Sequence, residues 1–301
     1  MLRTRIAPTP SGYLHIGNAF NFLLTALHAQ KNNGSVLLRI DDIDDERKRP
    51  EYVEDIFTSL HWLGIEWQEG PSGPDDFEQN WSQHKRLDIY NNLLTQLQQK
   101  NIVFACECSR KKLASPSTEL RTSLEGYAYP GTCDHLKIPL DKPETSWRIH
   151  VPPNRHVKFT DLEKGDVDFA LGEYAGSFVV RKKDHLPSYQ LASLADDVHF
   201  RINYIVRGED LLSSTAMQMY MAEKLNIESF RNAQFLHHKL EKDEQGHKLS
   251  KTAGSISLQY MRKHDIPVSQ VYKLFAEQFL NLKDLRIPTF DQLAEIFINK
   301  I

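Results

Sequence analysis

Long hydrophobic runs are missing from this chain. No stretch approaches the roughly 20 consecutive apolar residues that span a bilayer, and the opening residues Met1-Leu2-Arg3-Thr4-Arg5 do not form a signal-like apolar segment. The expectation is a cytoplasmic protein without membrane contact. Cysteine is scarce, three in 301 residues, which is too few for a disulfide framework. Charge of one sign is lacking too: 37 Lys and Arg face 40 Asp and Glu, for a formal net charge of −3. Bulk electrostatics therefore announce no nucleic-acid partner, and any such contact has to come from local patches. Arg110-Lys111-Lys112 and Arg181-Lys182-Lys183 are the candidates, although such a run taken alone is more often a solvated surface run. There is no internal repeat, no low-complexity segment, and neither a G-x-G-x-x-G nor a Walker sequence.

What is present suits a globular protein of two or three domains, with 40% hydrophobic and 26% charged residues. The chain is organised around Pro8-Thr9-Pro10-Ser11-Gly12-Tyr13-Leu14-His15-Ile16-Gly17-Asn18. A strand end, Thr4-Arg5-Ile6-Ala7, precedes it, and Phe20, Leu23, Leu24 and Leu27 follow at helical spacing. The loop thus delivers a helix N-terminus, where free N–H groups and the positive end of the macrodipole attract a phosphate. Gly12 and Gly17 would let it approach the backbone and His15 would add a donor, although most Gly-containing turns before helices are only turns.

The helix should end near Asn32-Asn33-Gly34, and Val36-Leu37-Leu38-Arg39-Ile40 reads as a buried strand completing a βαβ unit. It runs into Asp41-Asp42-Ile43-Asp44-Asp45, at the strand end where open α/β sheets bind ligands. Asp41 leaves the strand first and is the candidate contact for a ligand amine; the alternative is a solvated or capping run before the helix that Pro50 opens, with Val53, Ile56, Phe57 and Leu60 facing inward. Between about Pro71 and Lys183 the pattern changes, as expected of a domain inserted into the nucleotide-binding sheet. It contains a helix carrying Leu87, Tyr90, Leu94 and Leu97, a short strand Ile102-Val103-Phe104-Ala105, and all three cysteines, Cys106, Cys108 and Cys133. Buried free thiols are one reading; three soft ligands for a tetrahedral zinc ion are the other, with the fourth ligand open between His135 and Tyr129. Phe178-Val179-Val180-Arg181 is expected to return to the sheet, Pro187 to Ala192 to open a helix or long turn, and Asn203-Tyr204-Ile205-Val206 to be a strand ending at Arg207-Gly208-Glu209-Asp210. Arg207 again tops a buried strand, either facing a ligand or pairing with Glu209 or Asp210. Gln234-Phe235-Leu236-His237-His238 is a further strand, and amphipathic helices, with Val271, Leu274, Phe275 and Phe279 at core spacing, close the chain.

Far downstream stands Gly246-His247-Lys248-Leu249-Ser250-Lys251-Thr252. Taken with His15-Ile16-Gly17-Asn18, this stretch resembles the paired HIGH and KMSKS signatures of class I aminoacyl-tRNA synthetases, Asn18 replacing the second histidine. Over essentially the whole chain the motifs resemble the bacterial glutamyl-tRNA synthetase family. The short chain with Cys-x-Cys followed by Tyr-x-x-x-Cys is most similar to that family's glutamyl-queuosine tRNA(Asp) branch, since nothing after the lysine stretch is long enough for a helical anticodon-binding domain.

The resemblance implies an α/β fold: a Rossmann-type parallel sheet (1–70 and 184–238) split by an inserted α+β acceptor-binding-like domain with a zinc site (71–183), then a lysine-loop and helical region (239–301). It implies that Arg5, Ala7, Thr9, Asp41, Tyr189 and Arg207 bind glutamate, and that Pro8, Thr9, Gly12, His15, Gly17, Asn18 and Lys251 bind ATP. His15, Lys248 and Lys251 would be the catalytic set. Cys106, Cys108, Tyr129 and Cys133 would hold Zn²⁺, which moves the fourth ligand to Tyr129, and Mg²⁺ would accompany ATP. Glutamate usually stands at position 41 and serine at position 9, so Asp41 shortens the amine contact by a methylene while Thr9 keeps the hydroxyl. The expected chemistry is attack of the glutamate α-carboxylate on the α-phosphate of ATP, then transfer to tRNA, with queuosine of tRNA(Asp) as acceptor. The alternatives are a discrete enzyme charging the 3′ end of tRNA(Glu) and a catalytically silent nucleotide- or tRNA-binding module. A monomer is expected.

Overall fold

Arg3–Ile6, buried continuously from Thr4 on, and the apolar run Ser35–Leu38 form a parallel strand pair, Arg3 opposite Ser35 and Ile6 opposite Leu38. A parallel pair needs a crossover, and the helix Ile16–Lys31 supplies it, burying Ala19, Phe20, Leu23, Leu24 and Leu27 as its 3.6-residue spacing requires. This is a computed structural model. It describes residues 1–109, 113, 122, 123, 126–239, 257–283 and 286–300. The chain separates into two compact units: one made of 1–85, 203–209 and 238–301, the other of 86–202 and 210–237.

In the first unit the strand Tyr204–Gly208 runs beside Arg3–Ile6. The Asn203 N–H donates to the Arg3 carbonyl at 3.0 Å, and Asn203 Oδ1 accepts from the Arg3 N–H at 2.8 Å. The helices Ser269–Leu280 and Phe290–Lys300 cover the crossover helix: Phe20 meets Phe275 and Phe279 edge-on at 6.0 and 5.9 Å, and His28 meets Phe297 at 5.2 Å. Pro50 does open a helix, Pro50–Trp62, whose buried face carries Val53, Ile56, Phe57 and Leu60. Asp55 and Ser59 on that helix accept from the Arg262 guanidinium.

In the second unit, Val103–Cys106, Ser146–Ile149 and Phe178–Arg181 form a three-stranded antiparallel sheet in that order. Phe178–Arg181 is therefore a strand, but it belongs to this small sheet and not to a parallel nucleotide-binding one. An apolar tetrapeptide does not encode which neighbour it pairs with, and Arg181 laid over the Trp147 ring at 4.1 Å fixes that choice. Val157–Asp161 pairs antiparallel with Gly165–Phe169 and parallel with Gln234–His238 at Phe235 and Asp161. The helices Leu87–Gln99 and Tyr189–His199 are joined by a buried ion pair: Arg86 Nε and Nη2 donate to Asp196 at 2.8 and 3.1 Å, and Tyr90 adds a hydroxyl bond at 2.9 Å; Gln190 Nε2 donates to Ser214 Oγ on the helix Leu212–Leu225 at 3.0 Å. Among the described residues no helix is long and apolar enough to cross a membrane.

Candidate functional site

The loop from Ala7 to His15 leaves the first strand and ends at a helix with His15 as N-cap, φ −120° and ψ 175°. Asn18 Oδ1 accepts the His15 N–H at 3.0 Å, the reciprocal half of a capping box. The residue expected to touch ATP thus has a local task, holding the helix mouth in shape. A Cβ on Gly17 would stand 3.1 Å from His15 Cε1, whereas Gly12 has open space around it. Gly17 makes room for the His15 ring. Position 12 is the one open to an approaching ligand. Thr9 is exposed, Ala7 and His15 are half-buried and Pro8 is buried.

Lys248 and Lys251 lie outside the described residues, as do Arg110, Lys111 and Lys112. The described flanks of the lysine stretch, however, both meet the crossover helix or its cap. Upstream, His238 Nε2 is 3.1 Å from Asn21 Nδ2. Downstream, Ser257 bridges His15, and the Leu258 N–H donates to the Leu14 carbonyl at 2.7 Å.

The charged residues expected at the strand ends are in place in the first unit. Arg5 is buried and donates through Nη1 to the Val206 carbonyl at 3.2 Å; Arg207, the penultimate residue of the strand Tyr204–Gly208, is buried at 2% exposure. Asp41 is buried, and its carboxylate is gripped by Arg39: Nε to Oδ1 at 2.6 Å and Nη2 to Oδ2 at 3.0 Å. Arg39 had not been singled out in the sequence. The signal was there in Arg39-Ile40-Asp41, because extended chain puts residues 39 and 41 on one face. Asp42 is bound differently, accepting from Ser82 Oγ at 2.7 Å, the Gln83 N–H at 2.7 Å and Lys48 Nζ at 3.0 Å. It ties the 41–49 segment down. The solvated reading of the aspartate run fits Asp44, whose partner Arg47 is exposed, and neither Asp41 nor Asp42.

Tyr189 belongs to the second unit. It is the first residue of its helix, 38% exposed, behind an N-cap Ser188 whose Oγ accepts the Leu191 N–H. The Arg181-Lys182-Lys183 run is not an open basic patch. Arg181 is buried over Trp147, Lys182 pairs with Asp184 at 2.9 Å, and Lys183 donates to the Glu107 carbonyl.

The three cysteines converge in the second unit. Their sulfurs all lie within 4.8 Å of one another, and all three residues are buried. Cys108 Sγ and Cys133 Sγ are 3.7 Å apart, close to the ~3.8 Å that a tetrahedral ion with ~2.3 Å Zn–S bonds imposes. The Tyr129 hydroxyl completes the cluster: it accepts from the Cys133 N–H at 2.7 Å and sits 3.5 Å from Cys106 Sγ. His135 is exposed. Gly176, φ +58°, is required there, since a Cβ would come within 2.9 Å of the Tyr129 carbonyl. Arg148, also not foreseen, covers the Tyr129 ring at 4.0 Å and is fixed by a 2.8 Å bond to the Ser177 carbonyl. Burial opposes ionisation of Cys106, but the Tyr129 hydroxyl and the Arg148 charge outweigh it and hold that thiol below its ordinary value. Burial and the neighbouring sulfurs push Cys108 up to about 11, and burial followed by the Cys106 contact raises Tyr129. Such a donor set fits a zinc ion, which displaces the protons of its ligands.

Residues 1–297 match the family described as tRNA synthetases class I (E and Q), catalytic domain. A protein from Nitratidesulfovibrio vulgaris named glutamyl-Q tRNA(Asp) synthetase is 34% identical over 281 residues, covering 90% of this chain and 84% of its own. One of the same name from Symbiobacterium thermophilum is 40% identical over 234 residues, 75% of this chain and 71% of its own. Glutamate–tRNA ligase 2 of Syntrophus aciditrophicus is 34% identical over 270 residues, but the chain spans only 54% of that protein's length. In solved structures, the glutamate–tRNA synthetase of Elizabethkingia anophelis superposes with a TM-score of 0.77 at 23% identity, covering all of this chain and 66% of that one; at that identity the likeness speaks for the fold, the class I synthetase catalytic fold with α/β content. Family match and relatives agree: the chain belongs to the class I aminoacyl-tRNA synthetases of the glutamate and glutamine branch, and it is a ligase of that family.

Proposed function

We propose that this protein activates L-glutamate with ATP to glutamyl-adenylate and transfers the glutamyl group to queuosine in tRNA(Asp). The observation that carries the reading is the set of buried charges at neighbouring strand ends of the first unit, Arg5, Arg207 and Asp41, beside a helix mouth shaped by His15 and Asn18. Buried guanidinium groups suit a side-chain carboxylate and would be underused by a neutral amide, which favours glutamate over glutamine. Tyr189, Ala7 and Thr9 are assigned to the same amino acid. The helix N-terminus with Pro8, Gly12, His15 and Gly17, together with Lys251, is assigned to the phosphates of ATP, which enters with Mg²⁺. Ser257 meets His15 and His238 meets Asn21, so the described residues on either side of the lysine stretch both touch the crossover helix or its cap.

No side-chain nucleophile is needed. The α-carboxylate of glutamate attacks the α-phosphate, pyrophosphate leaves, and the protein's share is alignment and stabilisation of charge on the phosphoryl group by His15, the helix N–H groups and Lys251. Cys106, Cys108, Tyr129 and Cys133 are assigned to zinc, whose role is to fasten the region around them. We further assign 1–70 and 184–238 to the catalytic sheet, 71–183 to the inserted domain and 239–301 to the lysine-loop and helical region.

The names of the two glutamyl-Q relatives support tRNA(Asp). The equal identity to glutamate–tRNA ligase 2 keeps a second reading in view, charging of the 3′ end of tRNA(Glu). Labelled glutamate offered with tRNA(Asp) and tRNA(Glu), each with and without queuosine, separates them. Label on queuosine-containing tRNA(Asp) alone is expected. Label on the 3′ adenosine of tRNA(Glu) overturns the acceptor, and no adenylate at all overturns the activity.

A further inference from the structure

Leu14, the residue before the helix cap His15, gives its two backbone groups to two helices from distant parts of the sequence. Its N–H donates to Asp55 Oδ2 on the helix Pro50–Trp62 at 3.4 Å. Its carbonyl accepts the N–H of Leu258, the first residue of the helix Leu258–Lys263, at 2.7 Å. The Leu14 side chain is buried. The same two helices are tied to each other one turn further along. Arg262 donates through Nη2 to Asp55 Oδ1 and through Nη1 to Ser59 Oγ at 2.8 Å, and the Ser59 hydroxyl in turn donates to Asp55 Oδ2 at 3.3 Å.

These links close a ring: Leu14 to Asp55, Asp55 to Arg262, along the helix to Leu258, and back to Leu14. Helical spacing supplies it, since Asp55 and Ser59 stand four residues apart, as do Leu258 and Arg262, and each pair shares one face. The Leu258 N–H is an orphan donor of a helix start and needs an acceptor in any case. Asp55 is the telling residue. A carboxylate this deeply buried, beside Val53, Ile56 and Phe57, is costly unless its oxygens are bonded, and here one meets Arg262 while the other meets Leu14 and Ser59.

His15 follows Leu14 directly. With both backbone groups of Leu14 held, the ring fixes where the chain enters the crossover helix, and with it the place of the His15 side chain and of the first helix N–H groups. Alignment is most of what adenylate formation asks of the protein, and a misplacement of about 1 Å costs on the order of 10²-fold in rate.

We propose that the Asp55–Arg262 pair positions the helix mouth: acting through Leu14, it holds His15 where charge develops on the phosphoryl group. The inference rests on the reading of His15 as a phosphate contact given above. It makes the rate of glutamate activation depend on two residues that lie outside the mouth loop and about 200 positions apart in the chain.

The test is a double-mutant cycle on the full chain, read by glutamate-dependent exchange of pyrophosphate into ATP at a temperature below the melting transition of every variant. Asp55→Asn and Arg262→Gln are each expected to lower kcat about tenfold or more. The Michaelis constant for glutamate should stay within about threefold, because His15 is assigned to phosphate and not to the amino acid. Arg262→Lys, which keeps the charge but not the two-pronged contact with Asp55 and Ser59, should fall between, and it carries the comparison if the other variants fail to fold. In a His15→Ala protein, assayed with enough enzyme to register its residual exchange, the same substitutions should lower kcat by less than about threefold, since the group they position is gone. Equal losses in the two backgrounds overturn the proposal, and so does a folded Asp55→Asn or Arg262→Gln protein with unchanged kcat; a purely structural pair predicts one or the other. His15→Ala with exchange within about threefold of the unchanged protein is a separate failure: the phosphate reading of His15 then falls, and the inference with it.

Discussion

The two charged centres of this protein solve the burial of ionisable groups in opposite ways. In the first unit Arg5, Arg39, Arg207 and Asp41 are desolvated before any ligand arrives, and protein groups such as Val206 and the Arg39–Asp41 fork meet part of their bonding. In the second unit Cys106, Cys108, Tyr129 and Cys133 are equally buried, and their surroundings act unequally on the thiols: the Tyr129 hydroxyl and the Arg148 charge lower Cys106, while burial and the neighbouring sulfurs raise Cys108. The first arrangement stands preformed and suits ligands that come and go. The second is a cluster of soft donors whose geometry could hold a metal ion. Burial alone does not distinguish a substrate pocket from a structural metal site; the sign and completeness of the charges do.

Metal removal tests the second half of that contrast and carries the largest expected effect. Protein prepared without chelators should contain about one zinc per chain if the four ligands are complete. A ligand at about 1,000 times its Kd adds about 4 kcal/mol to stability, so stripping the ion should lower the melting temperature steeply and expose three thiols to a disulfide reagent. A metal-free protein that melts as before, with its thiols reactive from the start, would remove zinc from the account. Arg207→Ala tests the first half. Losing one member of a desolvated charge pair costs about 2–5 kcal/mol, and the loss should appear in the Michaelis constant for glutamate and not in that for ATP. An ATP defect with unchanged glutamate use would move Arg207 out of the amino-acid pocket.

Both centres were visible in the sequence to different depths. The first unit announced itself by chemistry-bearing residues at the exits of short apolar strands, since an Arg or Asp there has few uses other than ligand contact or a specific ion pair. Distinguishing those two uses needs side-chain geometry. Arg39 lies in the interior of the expected strand Val36–Ile40, where one more charged residue looks like an edge, and only its bond to Asp41 gives it meaning. The cysteines were legible because Cys106, the last residue of the strand Val103–Cys106, and Cys108 stand two residues apart and Cys133 is the remaining thiol of the chain. Arg148, about 40 positions downstream of Cys106, reaches the cluster through strand pairing, Phe104 standing opposite it, and register is not written in local spacing. The same limit misplaced Phe178–Arg181, whose apolar character set it as a strand without saying whose neighbour it is.

Lys251→Ala is the next smaller effect. As an oriented charge at a developing anion it should lower adenylate formation by roughly two to three powers of ten, the usual loss for one such donor. Pyrophosphate exchange within about threefold of the unchanged protein would remove Lys251 from phosphate stabilisation. The outcome also sharpens the contrast between centres: the lysine should alter rate without altering zinc content or melting temperature, as expected of a group whose work is done only when ATP is present.

Asn18 gives the smallest and most discriminating case, because the expected ATP contact and the observed capping bond lead to different numbers. Its Oδ1 accepts the His15 N–H at 3.0 Å, and a hydrogen bond of this kind contributes about 0.5–1.5 kcal/mol. Asn18→Ala should therefore cost about 1 kcal/mol in thermal or denaturant unfolding, measured without ligand. If capping is its whole task, the Michaelis constant for ATP should move by less than about threefold, because the helix N–H groups and His15 still present themselves once the helix is formed. Asn18→Asp keeps the acceptor and adds a negative charge at the helix N-terminus. Its stability should be restored or exceeded, since anions are favoured there by about 0.3–1 kcal/mol, while ATP should bind less well because two negative groups then compete for one positive end. A variant pair that separates in this way, stable but weak for ATP in Asn18→Asp, unstable but near normal for ATP in Asn18→Ala, assigns the helix mouth to phosphate and Asn18 to its shape. Equal loss of ATP affinity in both would return Asn18 to direct contact with the nucleotide.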